Sequence, residues 1–250
     1  MKAFRLASFG AALALVAAAG FLPAVQSPPV AAPTPTARPV PTATPTPLPG
    51  EIQVKVTVTA PDRKVVPGAM AVIWIPGSKA AKPAANLKIS SKDKRFDPRI
   101  TAVPQGATVD FPNYDKIFHN AFSLSEKAKF DLGLYRNGAS KPVTFSQPGL
   151  VKVFCNIHPQ MAALVLVVDG ELYGLAGPDG TAVLQNLRPG RYAVKVWEER
   201  GGEWSGTAEV ASGKATTLTV ALDGSTFKEV PHKNKYGKDY PPPDDDENRY

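Results

Sequence analysis

The chain has 250 residues, of which 43% are hydrophobic and 20% charged, with 26 prolines, a single cysteine and a formal net charge of +7. A lone cysteine excludes an internal disulfide, so any folded part must be held by its core. The basic balance comes without a basic recognition helix, which sets nucleic acid aside as a partner.

The chain opens with Lys2 and Arg5, followed by an apolar, uncharged, alanine-rich stretch over residues 6–25. A positive start, an apolar run and small residues near its end predict a secretory signal over residues 1–26. Ala17-Ala18-Ala19 and the region around Ala24 offer cleavage points. Left uncleaved, about 20 apolar residues are long enough to anchor in a bilayer, and only then is a membrane a partner. The only cysteine lies far downstream, which excludes a lipid anchor. Either way the folded part is expected to be exported, with a periplasmic location.

Residues 27–50 are proline, threonine and alanine with one charge, Arg38. Such a segment cannot bury a core and favours polyproline II. At ~3.1 Å per residue it would reach about 70 Å, as a stalk or as a passive spacer.

Folded structure is expected over residues 51–222. Ile52-Gln53-Val54-Lys55-Val56-Thr57-Val58-Thr59 alternates strictly, with its apolar residues at even numbers, and predicts a half-buried strand. Met70 to Ile75 predicts a buried strand between the turns Pro67-Gly68 and Pro76-Gly77. Short strands are then predicted near residues 87–90, 100–103, 108–111, 119–123, 143–145, 151–154 and 162–168. No run has helical periodicity, so the fold class is all-β, built from sandwiches. Gly177-Pro178-Asp179-Gly180 and Arg188-Pro189-Gly190 are turns, with proline presetting φ and glycine taking positive φ. Strands flank them, and two more are predicted at residues 207–210 and 216–222.

The chemistry-bearing residues fall together. Cys155-Asn156-Ile157-His158-Pro159-Gln160-Met161 joins a strand ending at the cysteine to one starting after the methionine. His119 lies upstream in Phe118-His119-Asn120-Ala121-Phe122. One thiolate, two imidazoles and a thioether are the donor set of a blue-copper site, with a weak axial sulfur. The candidate ligands are thus His119, Cys155, His158 and Met161. Asn120, beside the first of them, is placed to tie the ligand loop back to the strand.

This spacing resembles the cupredoxins, amicyanin most of all, because the gap from His158 to Met161 is short. In that family the first histidine comes from an earlier strand and the other three ligands from one loop. The resemblance implies one type 1 copper and one-electron transfer; the sequence offers no second metal cluster, carboxylate pair or nucleophile–base arrangement, so no enzymatic activity is expected. It also implies that His158 is the solvent-side ligand, in an apolar partner-contact rim of Ile157, Pro159 and Pro112. Many relatives carry an aromatic residue before the methionine, where this chain has Gln160.

The Asp179-Gly180, Leu184, Leu187 and Pro189-Gly190-Arg191-Tyr192-Ala193-Val194 pattern resembles the carboxypeptidase-regulatory-like, or transthyretin-like, sandwich. That family opens with a strand, a turn and an alanine-rich second strand. These are missing after Val168, and they are present before residue 76, where Lys64-Val65-Val66-Pro67-Gly68-Ala69 matches the turn. The implied layout is a split sandwich, residues 51–85 plus 169–222, with a Greek-key cupredoxin module at residues 86–168 inserted in it. Exported chains of this layout resemble bacterial cupredoxin-like proteins of the methylamine-utilisation type.

The tail, residues 223–250, is polar and broken by prolines, so it is expected to be extended or disordered. His232, beside lysines, is expected to face solvent. Without signal, stalk and tail, the body keeps 21 basic and 15 acidic residues, a net +6. That charge suggests an acidic redox partner. The alternative functions are a copper-holding protein, or a module whose second sandwich binds protein or glycan.

Overall fold

The computed structural model of the chain describes residues 46–81 and 84–241. The expected signal at residues 1–26, the stalk to residue 45 and the tail beyond residue 241 lie outside them. Among the described residues no helix is long and apolar enough to cross a membrane.

The fold is all-β. The first strands are β1 (Gly50–Thr59), β2 (Val65–Pro67) and β3 (Val72–Ile75). The middle of the chain gives β4 (Ser90–Lys92), β5 (Arg95–Asp97), β6 (Ile100–Pro104), β7 (Thr108–Pro112) and β8 (Phe122–Ser125). It continues with β9 (Ala128–Asp131), β10 (Ser140–Thr144), β11 (Gly149–Phe154) and β12 (Ala162–Val168). The last are β13 (Leu172–Leu175), β14 (Thr181–Leu187), β15 (Gly190–Glu198), β16 (Gly202–Val210) and β17 (Ala215–Asp223).

One sandwich faces the sheet β14-β1-β17, with β2 on β1, against the sheet β13-β3-β15-β16. The alternation in β1 decides its packing. Ile52, Val54, Val56 and Val58 are fully buried, while Gln53 and Lys55 are exposed. Those four side chains share a core with Ile73, Leu184, Val194, Val196 and Val220. β1 runs parallel to β17 and antiparallel to β14, so it is a central strand, and these two neighbours lie over 120 residues downstream. Gly180 sits at φ +78° in its turn, and a Cβ there would strike the Val56 carbonyl, so the position admits only glycine.

A second sandwich packs the sheet β6-β12-β11-β8-β9 over the pair β10-β7. Its core holds Ile89, Phe96, Val109, Phe111, Phe145, Val151, Val153 and Val165. β12 is apolar throughout because both faces are covered. Ala163, Val165 and Val167 point into this core. Leu164, Leu166 and Val168 instead meet Val72, Trp74 and Trp197 of the first sandwich in a third cluster. Arg99 caps that joint with two 2.7 Å bonds to the Glu199 carboxylate. The Trp74 indole N–H donates to Asp169 at 2.7 Å.

Four sequence expectations need correction. Leu48 is bound to the first sandwich, its N–H on Ser212 Oγ and its carbonyl on Gly213 N–H, so the stalk ends before residue 50. β13 occupies the interval after Val168 that showed no strand pattern, and it is held by pairing with β3. The strand expected from His119 starts only at Phe122, because His119 makes an isolated bridge to Tyr135. The tail is extended but touches the second sandwich through His232, Lys235 and Tyr240, and His232 stacks on Phe154 with ring centres 3.9 Å apart. Its polar composition hid this, since the contacts are single side chains with no repeating pattern.

Candidate metal centre

Two loops at one end of the second sandwich bring the donors together. β11 pairs through Phe154 with Phe122 on one side and Ala162 on the other. Cys155 is the next residue, so its position is set by two paired neighbours. The loop to Met161 is closed by Cys155 N–H on the Met161 carbonyl at 3.2 Å and Met161 N–H on the His158 carbonyl at 3.1 Å.

The second loop carries His119. The His119 and Tyr135 backbones exchange bonds at 3.1 and 2.9 Å. Asn113, fully buried, donates from its side-chain amide to the Ile117 and Tyr135 carbonyls. This pins both ends of the 113–119 loop.

His119, Cys155 and His158 converge with one donor atom from each, all within 4.8 Å of one another. The His119 and His158 Nδ1 atoms are 3.1 Å apart, and His158 Nδ1 lies 3.7 Å from Cys155 Sγ. Met161 is fully buried in the same core cluster as Cys155. His119, Cys155 and Met161 are inaccessible to solvent, whereas His158 keeps 8% exposure.

Asp115 was not singled out in the sequence, yet it orients the first histidine. Its Oδ2 lies 2.7 Å from His119 Nε2. A carboxylate accepts, so Nε2 carries the proton and the lone pair of neutral His119 sits on Nδ1, aimed at the other donors. Asp115 is itself held by the N–H groups of Asp93 and Lys94, at 2.7 and 2.9 Å. Burial pushes the Asp115 carboxyl up, but the bonds from Lys94, His119 and Asp93 outweigh it and hold it below its ordinary value. The one local hint was an aspartate four residues before a candidate ligand.

Burial also sets the protonation of the donors. It lowers His119, against the opposing pull of Asp115. It lowers His158 to about 4, helped by the charges of His119 and Lys94. It raises the Cys155 thiol, offset in part by the N–H groups of Asn120, Ile157 and His158. Without metal the site thus favours neutral imidazoles and a protonated thiol.

A pH dependence follows for the metal-free chain. Unfolded His158 takes its proton near pH 6.5, whereas folded His158 takes it near 4. The unfolded state binds more protons between those values, so stability is full above 6.5 and falls as pH drops toward 4. A tenfold difference in proton affinity between the two states corresponds to about 1.4 kcal/mol. Thermal unfolding of metal-free protein should show this decline, and a midpoint flat from pH 7 to 4 would contradict it.

Asn120 spans the two loops. Its Oδ1 accepts the Asn156 N–H at 3.3 Å, and its amide donates to Asp131 at 2.7 Å. The rim residues are less uniform. Ile157 is partly buried against the core, and Pro159 is exposed. Pro112 closes β7 opposite Ser140, one residue before Asn113. Phe118, beside His119, is 46% exposed, and Tyr114 in the same loop is also exposed. Neither stood out in the sequence.

The donor set fits copper: two imidazoles and one thiolate-capable sulfur, with a thioether in the same buried cluster. Asp115→Ala should weaken copper binding about 10–100-fold, because His119 loses the group that fixes its tautomer. Asp115→Asn, which keeps an acceptor oxygen, should fall between wild type and alanine. Competition with a chelator of known affinity measures both.

No family model matches the chain, and no curated protein matches it. Among solved structures the chain is similar over part of its length to a copper-containing nitrite reductase from Thermus scotoductus SA-01. The identity there is 26% and the TM-score 0.32, over 36% of this chain and 24% of that one. The chain therefore spans about a quarter of that reductase. It is similar to a purple cupredoxin from Nitrosopumilus maritimus at 24% identity and a TM-score of 0.29, over 33% of this chain and 99% of the other. A reduced Cu(I) amicyanin variant is similar at 20% identity and a TM-score of 0.32, over 38% of this chain and 97% of the amicyanin.

Proposed function

We propose that this chain is an exported one-electron carrier with a single type 1 copper held by His119, Cys155, His158 and Met161. The observation that carries this reading is the convergence of the His119 and His158 Nδ1 atoms with Cys155 Sγ in a buried pocket. Bound there, copper supplies a Cu(II)/Cu(I) couple whose ligands need not change between states.

The residues divide the work. Cys155 must release its proton to become a ligand; burial opposes this, and the backbone N–H groups of Asn120, Ile157 and His158 offset it in part. Asp115 keeps His119 Nδ1 free of a proton. Both loops are pinned by backbone pairs, which limits rearrangement between redox states. His158 reaches solvent, so electrons would cross at its edge, beside Ile157 and Pro159. The net +6 of the body favours an acidic redox partner. The apolar amino-terminal stretch supports export to the periplasm. The first sandwich is read as carboxypeptidase-regulatory-like, on the strength of its Pro178-Asp179-Gly180 and Pro189-Gly190 turns.

The test is a copper titration followed by redox cycling. One equivalent of Cu(II) should bind, bleach with ascorbate and recover with ferricyanide through repeated cycles without loss of metal. Release of copper at each reduction would replace the carrier with a copper-holding role.

A further inference from the structure

The ligand loop is gripped from outside by the C-terminal tail, and four contacts define the grip. His232 lies flat on Phe154, with ring centres 3.9 Å apart and planes at 16°. Its Nε2–H donates to the Pro159 carbonyl at 2.8 Å. The Tyr240 hydroxyl donates to the Cys155 carbonyl at 2.7 Å, and the same oxygen lies 3.2 Å from His232 Nδ1. Lys235 N–H donates to Asn156 Oδ1 at 3.1 Å. The Lys235 ammonium also pairs with Asp131 at 2.6 Å, and Asp131 accepts from Asn120. A ring of contacts thus runs from tail to Asp131, to Asn120, to Asn156 and back to the tail.

We infer that Tyr240 and His232 are positioning residues of the metal centre. Resting on the copper reading above, the tail acts as a clamp on the loop that carries Cys155, His158 and Met161. Two loop carbonyls, those of Cys155 and Pro159, face outward with no strand partner, and the tail supplies the donors. These carbonyls flank His158, so holding both fixes the loop on either side of that ligand. An N–H or O–H bond to a carbonyl is modest singly, but two such bonds with a stacked ring act together on a seven-residue loop. The tail does this from outside the core, so its loss should loosen the loop while leaving the sandwiches intact.

The test uses the full chain carrying Tyr240→Phe, His232→Phe and both together. Each phenylalanine keeps a ring and deletes a donor. Amide hydrogen exchange in the metal-free protein is the first readout, at Asn156 and Met161, whose N–H groups are bonded within the site. The double variant should exchange there roughly tenfold faster, with each single variant intermediate. Exchange in β11 and β12 should stay within about twofold, which separates loop positioning from general destabilisation. Copper release to excess chelator should accelerate by a similar factor. Exchange at Asn156 and Met161 unchanged in the double variant, or raised equally across β11 and β12, overturns the inference. The exchange measurement needs no metal, so failure of the copper reading would leave it intact and be recognised separately.

Discussion

A fragment of residues 169–223 should be unfolded in isolation, and deleting residues 50–75 from the chain should unfold the same region. β1 is central in its sheet, with β14 on one edge and a nine-residue parallel register with β17 on the other. β3 is equally central, between β13 and β15. The deletion removes Ile52, Val54, Val56, Val58 and Ile73 from the core and leaves Leu184, Val196 and Val220 facing a vacant layer. At about 1.5–3 kcal/mol for each buried aliphatic side chain, the loss is roughly 8–15 kcal/mol, the whole stability of a typical domain. The second sandwich should weaken as well, since Ile100, Leu164 and Leu166 lose Val72 and Trp74. Circular dichroism and amide dispersion in NMR spectra read the outcome. A 169–223 fragment that folds alone would mean that the amino-terminal strands are an accessory.

Cys155→Ser should abolish intense visible absorption from copper-loaded protein and weaken copper binding by more than about 100-fold. The thiolate is the donor that gives a charge-transfer band and the one that selects copper, and a serine hydroxyl does neither. The metal-free fold should survive. Cys155 is fully buried, so the new hydroxyl costs about 1–3 kcal/mol unless it finds a partner, and the core around it is otherwise unchanged. Thermal unfolding and metal competition together separate the two effects. Retention of the band in the serine variant would remove Cys155 from the donor set.

The sequence and the structure agree where the signal is periodic or chemically rare. The alternation from Ile52 to Val58 implies a strand with its even residues buried, which is how β1 packs. The one cysteine and two of the three histidines have donor atoms within 4.8 Å of one another, and Met161 is buried in the same core cluster as Cys155. The remainder depends on partners distant in sequence. β4 and β5 are polar strands held by pairing with each other, and β13 takes its form from β3. Asp115 could be placed only once the loop pinned by Asn113 was known. The tail reads as polar coil, and its order comes from the match of His232 to Phe154 and Pro159, with Tyr240 reaching Cys155.

X-ray absorption at the copper edge, on wild-type protein loaded with one equivalent, reads the donor set itself. One short copper–sulfur bond and two imidazole nitrogens are expected, from Cys155, His119 and His158. A shell of nitrogen and oxygen donors without sulfur would contradict the type 1 assignment.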